Sequence, residues 1–324
     1  MCHRLYGCLV CGRNVPLFQA SVFSKLLIQP DGPETFCLQF SLPFYVWRSS
    51  KRHSVDPRTR KSNGKRLRVS REMTSLEMFA HNRLDTSDID VIYQSHISCI
   101  VTGYDQRHWT AILAVDHWFE QELDDAEFSM PDSLERYQDD IDCGLRTDPL
   151  SRGQDDAEIS RWTPRPYFLR IMGIRLTQVI KEWEGLMYHI EKILQGFAER
   201  QKDLQNQEQF LNGACRGISA NGSEENTFLA KVLEFRGIVS DINDALRKTI
   251  RSGDSFLESD IFWFYPGQEP MSDDNDCQSQ LVQIRRLLQG VRRLGEQFRD
   301  MEIALQNMSQ DAEKLREKRI SHVP

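Results

Sequence analysis

The chain has 324 residues, 40% of them hydrophobic and 27% charged, with a formal net charge of −7. That length suffices for one large domain or two ordinary ones, and the apolar fraction excludes a disordered or collagen-like chain. The acidic balance gives no global attraction to nucleic acid, and eight cysteines scattered over so long a chain are unlike the framework of a small secreted domain, which favours a reducing intracellular setting.

Residues 1–14 form an N-terminal segment expected to be flexible, without the apolar core of a signal peptide. No stretch approaches the ~18–20 apolar residues of a bilayer-spanning helix. The strongest short run, Ile261 to Tyr265, stops at Pro266. As written, the chain is expected not to cross a membrane.

Residues 15–47 read as β-structure. In "TFCLQFSLPFYVW", Phe36, Leu38, Phe40 and Leu42 alternate with polar or small neighbours, the period of a half-buried strand. Pro43 marks an edge, a bulge or the strand's end, because it has no N–H to donate. Residues 48–71 then carry ten Lys or Arg against one Asp, with Asn63-Gly64 as a turn signal. This basic segment is expected to be a solvated loop or a hairpin with charged arms.

Residues 89–101 and 109–115 are the best strand pair, joined by the hairpin loop "TGYDQRH". Apolar side chains on both faces predict a central position covered by helices. Residues 116–142 form an acidic arm with eleven Asp or Glu against one Arg. The basic segment and the acidic arm are opposite enough in charge to compensate each other.

From Tyr167 the period becomes helical. Val179, Trp183, Leu186, Ile190, Ile193, Phe197, Leu204 and Leu211 form one stripe, interrupted by Arg200 and Gln207. The pattern predicts a helix of about 45 residues, ~65 Å long, ending at Asn212-Gly213. A second helix is expected over about 225–251, with Phe228, Val232, Val239, Ile242 and Leu246 inward and Ser252-Gly253-Asp254 as its stop. A third begins near Cys277. Its Ile284, Leu287, Val291, Leu294, Phe298, Met301, Leu305, Met308, Ala312 and Leu315 occupy successive a and d positions through five heptads. That period predicts a coiled-coil seam, whose partner is either the first long helix folded back or another chain.

Several segments carry a resemblance. "FSLPFYVWRSS", "YQSHISCIVTGYDQRHWTAILAVDHWFE", "DPLSRGQDDAE" and "RWTPRPYFLRIMGIRLTQVIKEW" resemble, in that order, a group of uncharacterised filamentous-fungal proteins, many of which look like CorA-type divalent-cation transporters. The resemblance spans roughly residues 36–210 by motif and the remainder by helical layout. It implies a mixed α/β domain followed by long helices. The Gly-Met-Asn signature and the two membrane helices of CorA-type transporters are absent, so the relation implied is to the cytosolic part alone, and no transport residue carries over.

Candidate chemistry is sparse. There is no Walker A loop, dinucleotide fingerprint, nucleophile elbow or HExxH, so an enzyme is not expected. Cys2, His3, Cys8 and Cys11 supply zinc-ligand types with one Cys-x-x-Cys step, where structural sites usually pair two. His96, Cys99 and His117 surround the central hairpin, but strand parity sends His96 and Cys99 to opposite faces. Asp124, Asp125, Asp139 and Asp140 offer the hard oxygen ligands that Mg²⁺ takes. The basic segment 48–71 suits polyanion binding or nuclear import, without an aromatic residue between Trp47 and Phe79 to stack on bases.

The sequence therefore predicts an α+β protein: a mixed α/β domain at 15–160 with a central β-hairpin, then long antiparallel or coiled-coil helices at 165–320. Its expected role is that of a non-enzymatic cytoplasmic protein acting through helix-mediated association, either between chains or as an internal helix hairpin. No cofactor and no nucleic-acid partner are expected. The alternatives are a divalent-cation-sensing or transporter-associated module, in effect a truncated CorA-like Mg²⁺ transporter, and a nuclear, polyanion-binding protein.

Overall fold

The protein's structure, a computed structural model, describes residues 20–27, 35–60, 63–81, 88–116, 118–119, 148–155, 163–211, 221–264 and 273–321. It is α+β. Five antiparallel strands make the sheet: β1 (Ser21–Leu27), β2 (Thr35–Ser50), β3 (Ser70–Glu72), β4 (Ile89–Gly103) and β5 (Trp109–Val115). β2 and β4 pair along their whole lengths, from Phe36 opposite Gly103 to Ser50 opposite Ile89. β1 covers β2 only from Thr35 to Ser41. The far edge of β4 is shared, with β3 against Val91–Tyr93 and β5 against Ile97–Gly103.

The expected hairpin is β4–β5. Its turn is closed by Asp105, whose Oδ1 accepts from the backbone N–H of Arg107 (2.7 Å) and His108 (2.8 Å). β4 is central, with Val91, Ile92, Tyr93, Ile97, Cys99 and Val101 buried. β5 departs from the expectation of two covered faces: it is an edge strand, half-buried along most of its length. Pro43 sits inside β2, two residues past the last partner on β1. Pro43 stands opposite His96, whose carbonyl faces Asp116 on the other side, so the proline's missing donor leaves no gap in the β2–β4 ladder.

Among the described residues four α-helices follow or interrupt the sheet: α1 (Thr74–His81), α2 (Pro164–Leu211), α3 (Asn221–Glu258) and α4 (Asp273–Ser321). α2 opens on Thr163-Pro164, a capping-type residue followed by proline where no N–H is needed. The three long helices have 48, 38 and 49 residues, or about 72, 57 and 74 Å at ~1.5 Å per residue.

They run up, down and up. Gly173 and Ile180 of α2 lie beside Gln283 and Gly290 of α4, so those two are parallel. Gly253, Ile250 and Asn243 of α3 meet Leu288, Gly295 and Glu302 of α4, so those two are antiparallel. The expected stop at Ser252-Gly253-Asp254 is therefore not a stop. α3 continues to Glu258, and Gly253 faces Leu288, where an added Cβ would lie 2.6 Å from the Leu288 side chain. Glycine here permits close helix approach rather than chain reversal.

Sheet and helices share one contiguous apolar core. Phe40 of β2 packs on Phe168 (ring centroids 5.7 Å apart), and Tyr45 on Trp183 (5.8 Å). Trp183 reaches Phe298 of α4 in turn (6.2 Å), so one indole bridges sheet and outer helix. Farther along, Phe197 of α2 stacks on Phe235 of α3 (5.6 Å). Arg200, which breaks the apolar stripe in the sequence, lays its guanidinium 4.2 Å from the Phe79 ring centre, so its position stays useful to packing.

Candidate functional site

The densest cluster of buried charge lies where the basic segment meets the end of β5. Asp56, Arg68 and Asp116 are buried. Arg58 grips Asp56 through two nitrogens, Nε to Oδ1 at 2.8 Å and Nη2 to Oδ2 at 3.0 Å, and reaches Asp116 Oδ1 through Nη1 at 2.8 Å. Arg68 Nε donates to the other Asp116 oxygen at 2.7 Å. Burial opposes the Arg58 charge, but Asp56 and Asp116 outweigh it and hold the guanidinium above its usual range. Such forked pairs fix geometry as well as charge.

Beside this cluster, His96 of β4 shares a 2.6 Å hydrogen bond between Nε2 and Ser41 Oγ of β2, and its carbonyl accepts from the Asp116 N–H at 3.0 Å. Ser41 of β2, His96 of β4 and Asp116, just past the end of β5, thus assemble in one place, a constellation the sequence does not announce because the three lie far apart in the chain. It is not arranged for nucleophilic catalysis. Asp116 directs its two oxygens to Arg58 and Arg68, whereas a catalytic carboxylate orients the histidine ring. Burial, with Arg68 adding to it, pushes His96 down to about 4. A neutral, enclosed imidazole is a poor base at neutral pH. The arrangement is a lock that fastens residues 56–68 onto the sheet.

A second lock is built from "DPLSRGQD", residues 148–155. Asp148 accepts from Leu150 N–H at Oδ1 (3.0 Å) and from the Tyr167 hydroxyl at Oδ2 (2.8 Å), while its carbonyl accepts from Ser151 and Gly153 N–H (both 3.1 Å). Arg152 and Gly153 both have positive φ, 59° and 71°, which closes the turn. Arg170 pairs with Asp155 at 3.0 Å, and Arg175 Nε donates to the Leu150 carbonyl at 3.0 Å. These contacts seat the turn against the first part of α2. Cys99 lies near this turn, and burial pushes its thiol up to about 12, so it is no nucleophile.

A third cluster joins β2, β4, α1 and α2. Trp47 stacks on His189 (centroids 4.5 Å apart, planes 2° from parallel) and donates from Nε1 to Asp90 Oδ1 at 3.1 Å. Glu77 of α1 is buried, and Lys192 of α2 stands 3.9 Å from it. A surface groove of about 510 Å³ lies between β3 and α3, crossed by the Arg71–Asp241 ion pair and lined by charges of both signs.

The candidates read from the sequence fare unevenly. Cys2, His3, Cys8 and Cys11 lie outside the described residues, as do Asp124, Asp125, Asp139, Asp140 and His117. His96 and Cys99 diverge as parity requires: His96 bonds Ser41, and Cys99 stands opposite Phe40. Among the described residues no group of three or more His, Cys, Asp or Glu is placed to hold a metal ion. The acidic arm does meet the basic segment at its first residue, Asp116.

On α4, Ile284, Val291, Leu294, Phe298, Met301, Leu305 and Ala312 are buried against the chain's own helices, and Leu287 and Met308 are half-buried. The Leu315 side chain lies outside the described set. Cys277, Leu281, Leu288 and Ser309 are buried as well, and the heptad reading omits them. A helix held between two neighbours buries a wider stripe than one a/d seam, so the extra positions follow from α2 and α3 both packing on α4. The seam is thus occupied within the chain. No described helix is long and apolar enough to cross a membrane. No family model matches the chain, and a search of curated proteins finds no match.

Proposed function

We propose that this chain is a non-enzymatic intracellular module that acts by association through its long helices, of the kind represented by the cytosolic part of CorA-like proteins. The observation that carries this reading is the layout: three helices of 48, 38 and 49 residues packed lengthwise and anchored to a small sheet. The apolar stripe of α4 is consumed internally, so association uses the outward polar faces, where Arg285, Arg286, Arg293, Glu296, Arg299 and Asp300 are exposed. The buried charges support the same reading, because their hydrogen bonds hold loops to the sheet. The buried thiol of Cys99, outside any disulfide, suits a reducing compartment.

Sedimentation velocity over about 1–100 μM protein, with and without millimolar Mg²⁺, tests the proposal. Reversible, concentration-dependent assembly is the expected result, and assembly that responds to Mg²⁺ adds a cation-sensing role. A monomer at every concentration in both buffers removes association as the function.

A further inference from the structure

The sheet packs on α2 and α3, and those two helices pack on the inner side of α4. The outer side of α4 carries a second regular face. Arg286, Gln289, Arg293, Glu296 and Asp300 are exposed along it, with Val282 and Ile303 at its two ends, 45% and 50% exposed. Their spacing alternates four and three residues, the repeat of a lengthwise helix–helix contact. The face runs about 32 Å from Val282 to Ile303 at ~1.5 Å per residue. Its charges are segregated: Arg286 and Arg293 fall in the first half, Glu296 and Asp300 in the second. Among the described residues α4 ties Arg292 to Asp254, Glu302 to Arg247 and Lys314 to Asp311, while Arg286, Arg293, Glu296 and Asp300 join no ion pair.

A face with cations in one half and anions in the other complements its own copy turned end for end. Consider two α4 helices, antiparallel, with a two-fold axis at the level of the Leu294–Gly295 peptide. Each Arg293 then stands opposite Glu296 of the second copy, and each Gln289 opposite its Asp300. Each Arg286 stands opposite Ile303 of the second copy, where its methylenes cover apolar surface. The flanking Arg292 meets Arg299 of the second copy, but Asp254 already answers its charge. A parallel pair in register would instead set Arg293 on Arg293 and Glu296 on Glu296, like on like.

We infer that the outer face of α4 is a self-association surface whose partner is the same face of a second copy, antiparallel, with Arg293 and Glu296 as the central pair. This inference rests on the association reading above and specifies its surface and orientation. Because the same patch serves both copies, assembly through it closes at a dimer. The contact is reversible: Val282 and Ile303 are the large apolar side chains on it, and permanent dimers bury larger, more apolar areas.

The test is sedimentation velocity of the full chain and its charge-reversal variants over about 1–100 μM at low salt, where surface charges are least screened. The parent is expected to form a dimer. Arg293→Glu and Glu296→Arg are each expected to raise the dimer dissociation constant about tenfold, because each substitution acts twice across the axis and turns two attractions into repulsions. An equimolar mixture of the two variants is expected to associate as the parent does, since the mixed pair restores opposite charges at both central contacts. Lys51→Glu, exposed beyond the end of β2 in the sheet layer, makes the same change in net charge as Arg293→Glu and is expected to match the parent. Circular dichroism confirms that each variant keeps its fold. A parent that stays monomeric throughout removes both this inference and the association reading. A parent that assembles while both α4 variants match it overturns this inference alone and leaves association to another face. Equal loss in Lys51→Glu overturns it too, as does weakening of both variants without recovery in their mixture.

Discussion

Acidification is expected to loosen the sheet through His96. The imidazole is buried between β2 and β4, bonded to Ser41, and held neutral by burial and by Arg68, so its pKa falls from 6.5 to about 4. The unfolded chain leaves it near 6.5, so between those values the unfolded state binds the extra proton. Stability contributed by His96 is therefore complete above pH ~6.5 and is lost progressively as pH falls toward 4. At about 1.36 kcal/mol per pKa unit, the full loss is on the order of 3 kcal/mol, and about 2 kcal/mol of it has gone by pH 5. Urea denaturation followed by circular dichroism at pH 7, 6 and 5 reads this directly. His96→Gln keeps a hydrogen-bonding partner for Ser41 and does not titrate, so its stability is expected to vary much less over the same range. A residual slope is expected from His189, which burial also pushes down. Asp90, whose carboxyl is held below its usual value, adds its own loss only below that window. Equal slopes in parent and His96→Gln, or a parent curve flat from pH 7 to 5, refute the reasoning.

Asp116→Asn leaves the buried Arg68 guanidinium without its counter-charge and is expected to cost about 3–5 kcal/mol in urea denaturation, whereas a surface carboxylate such as Asp300 changed to Asn stays within ~0.5 kcal/mol. Gly196→Ala and Gly185→Ala should move in opposite directions. A Cβ at Gly196 would fall 2.7 Å from the Ala80 carbonyl oxygen of α1, a backbone atom, so the cost is about 1–3 kcal/mol, while Gly185 has open space and gains roughly 0.5–1 kcal/mol of helix propensity. Leu288→Ala, buried between α3 and α4, is expected to lose about 2–5 kcal/mol, and Val282→Ala on the exposed face of the same helix no more than ~0.5 kcal/mol. Thermal melts of the pair suffice, and similar shifts would contradict the assignment of which face is buried.

The strand and helix periods were legible because burial imposes them directly. Phe40, Leu42, Ile97 and Cys99 are buried as the β pattern requires, and Val179 through Phe197 as the helical one does. Boundaries were less so. Gly253 reads as a stop only if glycine's backbone freedom is its sole use, and here its small size matters more. The Ser41–His96–Asp116 association and the Arg58–Asp56 fork depend on which strands become neighbours, and no local pattern carries β2–β4 register across 55 residues of chain.

The heptads of α4 show where periodicity stops being informative. A stripe at Ile284, Val291 and Phe298 records that one face is dry; it is silent on whose side chains dry it. What settles the matter is the second set, Leu281, Leu288 and Ser309, each one residue past a d position, because two seams on one helix require two partners, and α2 and α3 supply them from the same chain. Each is long enough to follow α4 for most of its length. A second chain that borrowed this stripe would have to displace Trp183 from Phe298 and Asn243 from Glu302, exposing a core that also holds Tyr45 of the sheet. The proposed association between copies would therefore use the outward faces of the bundle, which are mostly charged, and salt is expected to weaken it. Assembly that strengthens as salt rises would point instead to an apolar interface.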